Sequence, residues 1–145
     1  MTTLHDATGP DLTAAQLHDI LRLRGDVFVV EQKAAYADID GRDLAPGTRH
    51  LWFTEGDEVL AYLRVLLDPG GVRRIGRVVT TAHARGRGLA ARLVEAVMTP
   101  DVEYVLDAQT YVQNFYARYG FVPEGAEYVD DDGIPHITMR RLAAR

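Results

Sequence analysis

The segment from residue 74 to residue 98 constrains the chain more than any other. Arg74-Ile75-Gly76-Arg77-Val78-Val79-Thr80 has the composition of a strand, and residues 88–98 place Leu89, Leu93, Ala96 and Val97 at helical spacing. Between them lies His83-Ala84-Arg85-Gly86-Arg87-Gly88, a Gly-rich turn. A strand that passes through glycines into a helix directs unpaired backbone N–H groups and the positive end of the helix dipole into one space. That space suits an anion. Gly86 and Gly88 let the main chain approach phosphate oxygens, and Arg85 and Arg87 add charge. The turn lacks the Gly-Lys-Ser/Thr of a P-loop and does not fit Gly-x-Gly-x-x-Gly.

The rest of the chain supplies layers around this segment. Thr13-Ala14-Ala15-Gln16 has the form of a capping box, and Leu17, Ile20, Leu21, Arg24 and Phe28 follow at three- and four-residue steps, so a helix is expected over 13–29. Residues 34–48 read as a long loop. Residues 50–54 and 59–67 read as a hairpin, and Asp68-Pro69-Gly70-Gly71 as the next turn. Thr99-Pro100 stops the helix after the Gly-rich turn. A short strand follows at 104–108. Thr110-Tyr111-Val112-Gln113 is a second capping-box pattern, opening a helix that ends at Gly120 in a left-handed residue. Strands at 128–129 and 136–140 close the chain around Asp130-Asp131-Asp132-Gly133. The pattern predicts an α/β fold, a mixed sheet flanked by helices, in a single domain over 1–145.

Composition and charge narrow the function. At 145 residues and 47% apolar, the chain can bury a core without a staple, and the absence of cysteine excludes disulfides, thiolate zinc sites and a cysteine nucleophile. No apolar run reaches the roughly 20 residues of a membrane span, and the first residues lack the pattern of a signal peptide, so a cytoplasmic protein without membrane contact is expected. The net charge of −5 argues against a nucleic-acid partner. Six arginines nevertheless fall between Arg73 and Arg92 with no acid among them, while Asp38, Asp40 and Asp43 cluster elsewhere. If these meet at one cleft, it would hold an anion at one end and attract a cation at the other. The histidines show no metal spacing, and no metal site is expected.

The spacing Arg85-x-x-Gly88-x-Ala90, after a strand and before an amphipathic helix, resembles the acetyl-CoA pyrophosphate loop of the GNAT superfamily of N-acetyltransferases. Gln113-Asn114-Phe115-Tyr116-Ala117-Arg118-Tyr119-Gly120-Phe121 is similar to that family's closing motif. Val27-Phe28-Val29-Val30-Glu31-Gln32, Asp38-Ile39-Asp40-Gly41, Ala108-Gln109 and Asp132-Gly133-Ile134-Pro135-His136 resemble its ElaA-like branch. The likeness covers about residues 12–141.

The resemblance implies a GNAT-type, mostly antiparallel sheet whose fourth and fifth strands splay apart to hold acetyl-CoA. Val78, Val79 and Thr80 would meet the pantetheine and thioester. Arg85, Gly86, Arg87, Gly88, Leu89 and Ala90 would hold the pyrophosphate, and Asn114 the pantetheine. A neutral amine would attack the thioester directly, with a backbone N–H near Val79 on the oxyanion and Tyr116 protonating the departing sulfur. Tyr111 is the alternative donor, and packing beside Phe115 the plainer role for Tyr116.

An alkyl amine of pKa about 10.4 is neutral in only about one molecule in 2,500 at pH 7, so the proton must be taken up. Some family members carry a Glu on the fourth strand, and here RIGRVV has none. Glu31, His50, His136 and water remain as bases. Glu31, Asp38, Gln109 and His136 are the expected acceptor contacts, and the acids suggest a cationic small molecule or peptide amine. The rival functions are a non-catalytic acyl-CoA sensing module and, less consistent with the missing lysine, a nucleotide-phosphate transferase. A monomer or a homodimer is compatible with exposed sheet edges.

Overall fold

The computed structural model describes residues 1–33, 37–130 and 133–144. Residues 34–36 of the expected long loop, and Asp131 and Asp132 of the last turn, lie outside the described residues. In chain order the elements are β1 (Thr3–Thr8), α1 (Ala14–Arg24), β2 (Arg49–Glu55), β3 (Glu58–Leu67), β4 (Arg73–Thr80), α2 (Leu89–Val97), β5 (Tyr104–Gln109), α3 (Gln113–Ala117), β6 (Val122–Val129) and β7 (Pro135–Arg141). They form one seven-stranded sheet in the order β1-β2-β3-β4-β5-β7-β6. Among the described residues only β4 and β5 pair in parallel.

The centre of the sheet is apolar on both faces because helices cover both. On one face Leu51, Phe53, Leu63 and Val65 pack with Leu89, Leu93 and Val97 of α2. On the other, Trp52, Tyr62 and Val79 pack with Ile20 and Leu23 of α1. β3 therefore reads as an almost unbroken apolar run, buried from Val59 to Leu66. Among the described residues no helix is long and apolar enough to cross a membrane.

The first capping box forms as expected. The Gln16 N–H donates to Thr13 Oγ1 at 3.0 Å, and the Thr13 N–H donates to Gln16 Oε1 at 3.0 Å. The helix does not stay in α register to residue 29, however. After Arg24 it widens into a π-helix over Gly25–Glu31, in which the Gln32 N–H donates to the carbonyl of Val27 at 2.9 Å. The wider turn changes which side chains share a face, and here Phe28, Glu31 and Gln32 border the cavity described below.

The second capping box does not form. Thr110–Val112 is a 3₁₀ turn, and the Gln113 N–H donates to the carbonyl of Thr110 rather than to its hydroxyl. α3 spans only 5 residues. Its end is as expected: Gly120 has φ +87°, its N–H donates to Ala117 O, and the Phe121 N–H donates to Tyr116 O, which is a Schellman closure.

Two strands exceed the sequence expectation. β1 pairs with β2 along its whole length although its pattern is polar, and β6 begins six residues before the expected 128. Both are edge strands of largely exposed residues.

Candidate functional site

β4 and β5 are in register only where Arg73–Ile75 meets Tyr104–Leu106. Beyond that point they diverge, and a cavity of about 670 Å³ opens between them. β4 also bulges on its other side. Arg64 pairs with Gly76 and Tyr62 with Val79, so β4 spends one residue more than β3 over this stretch. Arg77, within the bulge, has φ +52°. Along this reach the β3 register passes from Gly76 to Val79, and the β5 register ends at Ile75.

At the end of β4 the chain makes a short 3₁₀ turn, Ala82–Ala84, and enters the Gly-rich loop. Gly86 and Gly88 have φ +85° and +75°, and a Cβ built on either would meet nothing within 4 Å. Backbone conformation demands glycine here, and the open space is approach room for a ligand. Gly88 is the N-cap of α2 and brings no capping side chain; its carbonyl accepts the Arg92 N–H at 3.1 Å. The first amides of α2 thus face outward at the positive end of the helix.

Of the residues expected at the site, Glu31, Val78, Val79, Thr80, Arg85, Ala90, Gln109, Tyr116 and His136 all line this cavity. The exposed Gly86, Arg87 and Gly88 continue from it as the loop. Arg87 is turned away, with Nη2 2.9 Å from Glu55 of the β2–β3 turn. Leu89 is 3% exposed, so only its amide is available. Asn114 lies on the exposed side of α3, outside the cavity lining.

Tyr116 is 7% exposed, edge-on to Phe115 and Phe121 with ring centroids 5.0 and 6.1 Å away. Among the described residues its hydroxyl makes no hydrogen bond. Burial, with the neighbouring Tyr111 phenol, pushes its pKa well above the ordinary tyrosine value. The shift keeps the phenol protonated and makes it a weaker acid than a free tyrosine, so a proton transfer from it depends on a stronger base forming beside it. Tyr111 is 75% exposed at the cavity rim.

The two clusters meet at Arg77, which pairs with Asp38 and Asp40, and most of their other charges form ion pairs with residues outside them. Glu31 and Arg85 clasp each other at 2.8 and 3.0 Å, and Arg85 Nε donates to Thr80 O. Arg74 bonds Asp68 and Asp107. Asp38 is buried against Arg24 and Arg77, and Asp40 is held by Arg64. Burial alone would raise the Asp40 carboxyl; the Arg64 and Arg42 hydrogen bonds and the Arg64 and Arg77 charges outweigh it and hold Asp40 well below the carboxylate range. Asp38 and Asp40, expected beside a cationic acceptor, are each engaged by arginines.

His50 is also removed as a base. Its ring is fully buried, Nε2 donates to Asp43 O at 2.8 Å, and Nδ1 accepts from the Tyr62 hydroxyl at 2.6 Å. Burial, aided by the Arg24 and Arg64 charges, lowers its pKa. Below the ordinary value of 6.5 the unfolded chain binds a proton that folded His50 resists. Stability should fall as pH drops from there toward the lowered native value, and His50→Gln should flatten that slope in urea midpoints taken on either side of the window. A slope unchanged by the substitution would count against this account. His136 does line the cavity, with Nδ1 2.6 Å from Ile134 O and its ring stacked on Tyr128.

Comparison with known proteins then places the chain. Residues 10–143 match a family model described as an acetyltransferase (GNAT) domain. The UPF0039 protein Rv2851c of Mycobacterium tuberculosis is 45% identical over 137 residues, 90% of this chain and 87% of that protein. The crystal structure of an acyl-CoA N-acyltransferase from Pseudomonas aeruginosa superposes with a TM-score of 0.90 at 42% identity, covering 98% of this chain and 100% of that one. Escherichia coli ElaA superposes with a TM-score of 0.86 at 38% identity, covering 97% and 99%.

Proposed function

The chain belongs to the GNAT acetyltransferase family, and on that premise we propose that it transfers an acetyl group from acetyl-CoA to a primary amine of a small molecule or peptide, by direct attack with both substrates bound. The observation that carries this reading is one shared cavity: the strand gap, the uncapped end of α2 and the buried Tyr116 phenol all border it.

The residues present fit acetyl-CoA. The amides from Gly86 to Ala90, at two positive-φ glycines with open space, would hold the diphosphate, and Arg85 and Arg87 would assist on leaving Glu31 and Glu55. Val78, Val79 and Thr80 lie beyond the last β4–β5 pair, so their gap-side backbone groups are open to an extended amide-bearing arm, and Asn114 would meet that arm from α3. Acetyl-CoA supplies an acyl group already activated as a thioester. A β4 N–H near Val79 would steady negative charge on the acyl oxygen, and Tyr116 would give its proton to the departing sulfur. On the acceptor side Glu31, Gln109 and His136 line the wall, and Glu31 takes the ammonium proton directly or through water.

The second reading, an acyl-CoA-binding module without transfer, is favoured by one feature: β4 carries no carboxylate. Thiol release from acetyl-CoA against a panel of amines of different charge separates the two. Amine-dependent release is expected. CoA binding with no amine-dependent release would leave the sensing module, and absence of CoA binding would remove both.

A further inference from the structure

We propose that Arg24, Arg64 and Arg77, paired with Asp38, Asp40 and Asp43, form a brace that fixes the β4 bulge, making Arg24 and Asp38 positioning residues for acyl transfer although neither lines the cavity. The inference rests on the acyltransferase reading for its kinetic consequence and on geometry for the brace itself.

The starting point is Arg77. It occupies the left-handed region at φ +52°, while Gly76 beside it, which could do so without strain, does not. Something other than local preference holds the bulge in this phase. β5 has departed after Ile75, and the β3 register passes from Gly76 to Val79. The Arg77 side chain ties the bulge to the loop at 38–43. Its Nε lies 2.9 Å from Asp38 Oδ1, and its Nη2 donates to Asp38 O at 3.1 Å.

Asp38 is in turn locked from behind. Arg24, with no exposed surface, donates from Nε to Asp38 Oδ2 at 3.0 Å, from Nη2 to Asp38 O at 2.8 Å, and from Nη1 to Asp43 Oδ1 at 2.7 Å. Arg64 bridges Asp43 and Asp40, at 3.1 and 2.9 Å from Nη1. Asp40 closes the ring 3.5 Å from Arg77 Nη2. The charges balance three against three. Each acid is shared by two arginines, so removing one member leaves one charge of the set uncompensated and weakens the whole. Through it the C-terminal turn of α1 and the loop at 38–43 control where the backbone around Val78 and Val79 sits. A misplacement of about 1 Å there is enough to cost orders of magnitude in rate.

The test uses Asp38→Asn, Arg77→Gly and the double variant of the full chain. Glycine suits the left-handed position, so Arg77→Gly should fold even if Asp38→Asn does not. Coenzyme A binding is measured by calorimetry, and acetyl-CoA turnover with the best amine of the panel. Expected are CoA affinities within about twofold of wild type, a kcat lowered about tenfold or more, and an unchanged KM for acetyl-CoA. Asp38→Asn should add less than about twofold in the Arg77→Gly background, because it acts through Arg77. A crystal structure of whichever variant folds should show residue 77 or the register of Val78 displaced. Wild-type kcat in both single variants overturns the proposal, as does loss of CoA affinity in step with kcat, or additive effects. If the wild-type protein binds no coenzyme A, the acyltransferase reading fails separately, and an unchanged bulge in the crystal would then overturn the brace.

Discussion

Tyr116→Phe is expected to lower kcat for amine-dependent thiol release by about 10²–10⁴-fold while leaving CoA affinity and stability close to wild type. The substitution removes one oxygen from a buried ring whose edge contacts to Phe115 and Phe121 remain. Because the hydroxyl makes no hydrogen bond among the described residues, its loss strands no partner and should not lower the urea midpoint. Burial keeps the phenol protonated well past the ordinary tyrosine value, so the wild-type rate should show no alkaline fall from this group near pH 10. Rates within a few-fold of wild type would mean that water protonates the leaving sulfur and Tyr116 only packs. Tyr111→Phe is the matched control at the rim, and a larger effect there would transfer the role.

Gly88→Asp is expected to weaken coenzyme A binding about 100-fold or more. At φ +75° a side chain strains the N-cap by about 1–2 kcal/mol, and the carboxylate would stand at the amides assigned to the diphosphate. The strain is common to free and bound protein and lowers stability; loss of two charge-assisted hydrogen bonds, each about 1.5–3 kcal/mol, accounts for the lost affinity, at about 1.4 kcal/mol per tenfold. Gly88→Ala separates the causes. It keeps the strain without the charge, and no atom lies within 4 Å of its Cβ, so stability should fall by about that strain while affinity drops far less. Calorimetry with coenzyme A reads both. Unimpaired binding by Gly88→Asp would place the diphosphate elsewhere and undo the proposed orientation of the thioester.

The two cases also mark what local sequence can carry. Gly88 and Gly120 were legible because a left-handed backbone residue at a helix boundary is a near-neighbour demand, met within a few positions of the chain. Tyr116 was legible only as a choice of helix face. The second capping box failed because Gln113 found the nearer carbonyl of Thr110, an option the residue pattern alone does not exclude. β1 was missed because an edge strand of largely exposed, polar residues has no apolar alternation to read. The π-helix was missed because its hydrogen-bond register, and not its composition, sets it apart from α.

Charge was the least legible property. The arginine-rich stretch and the aspartate loop each read as a field waiting for a ligand of opposite sign, yet most of these charges are spent on partners elsewhere in the chain, across separations of 14 to 54 residues. The brace on Arg77 belongs to the same class of feature.

The sequence by itself determined the helix and strand layers, the Gly-rich entry to α2 and the family, since periodicity, glycine conformation and motif spacing are written along the chain. Only the tertiary structure decided which acids remain for an acceptor, why the bulge falls on Arg77 beside a glycine, and which residues border the cavity. Those depend on side chains brought together through space, where burial forces each charge to find a partner that the linear order does not name.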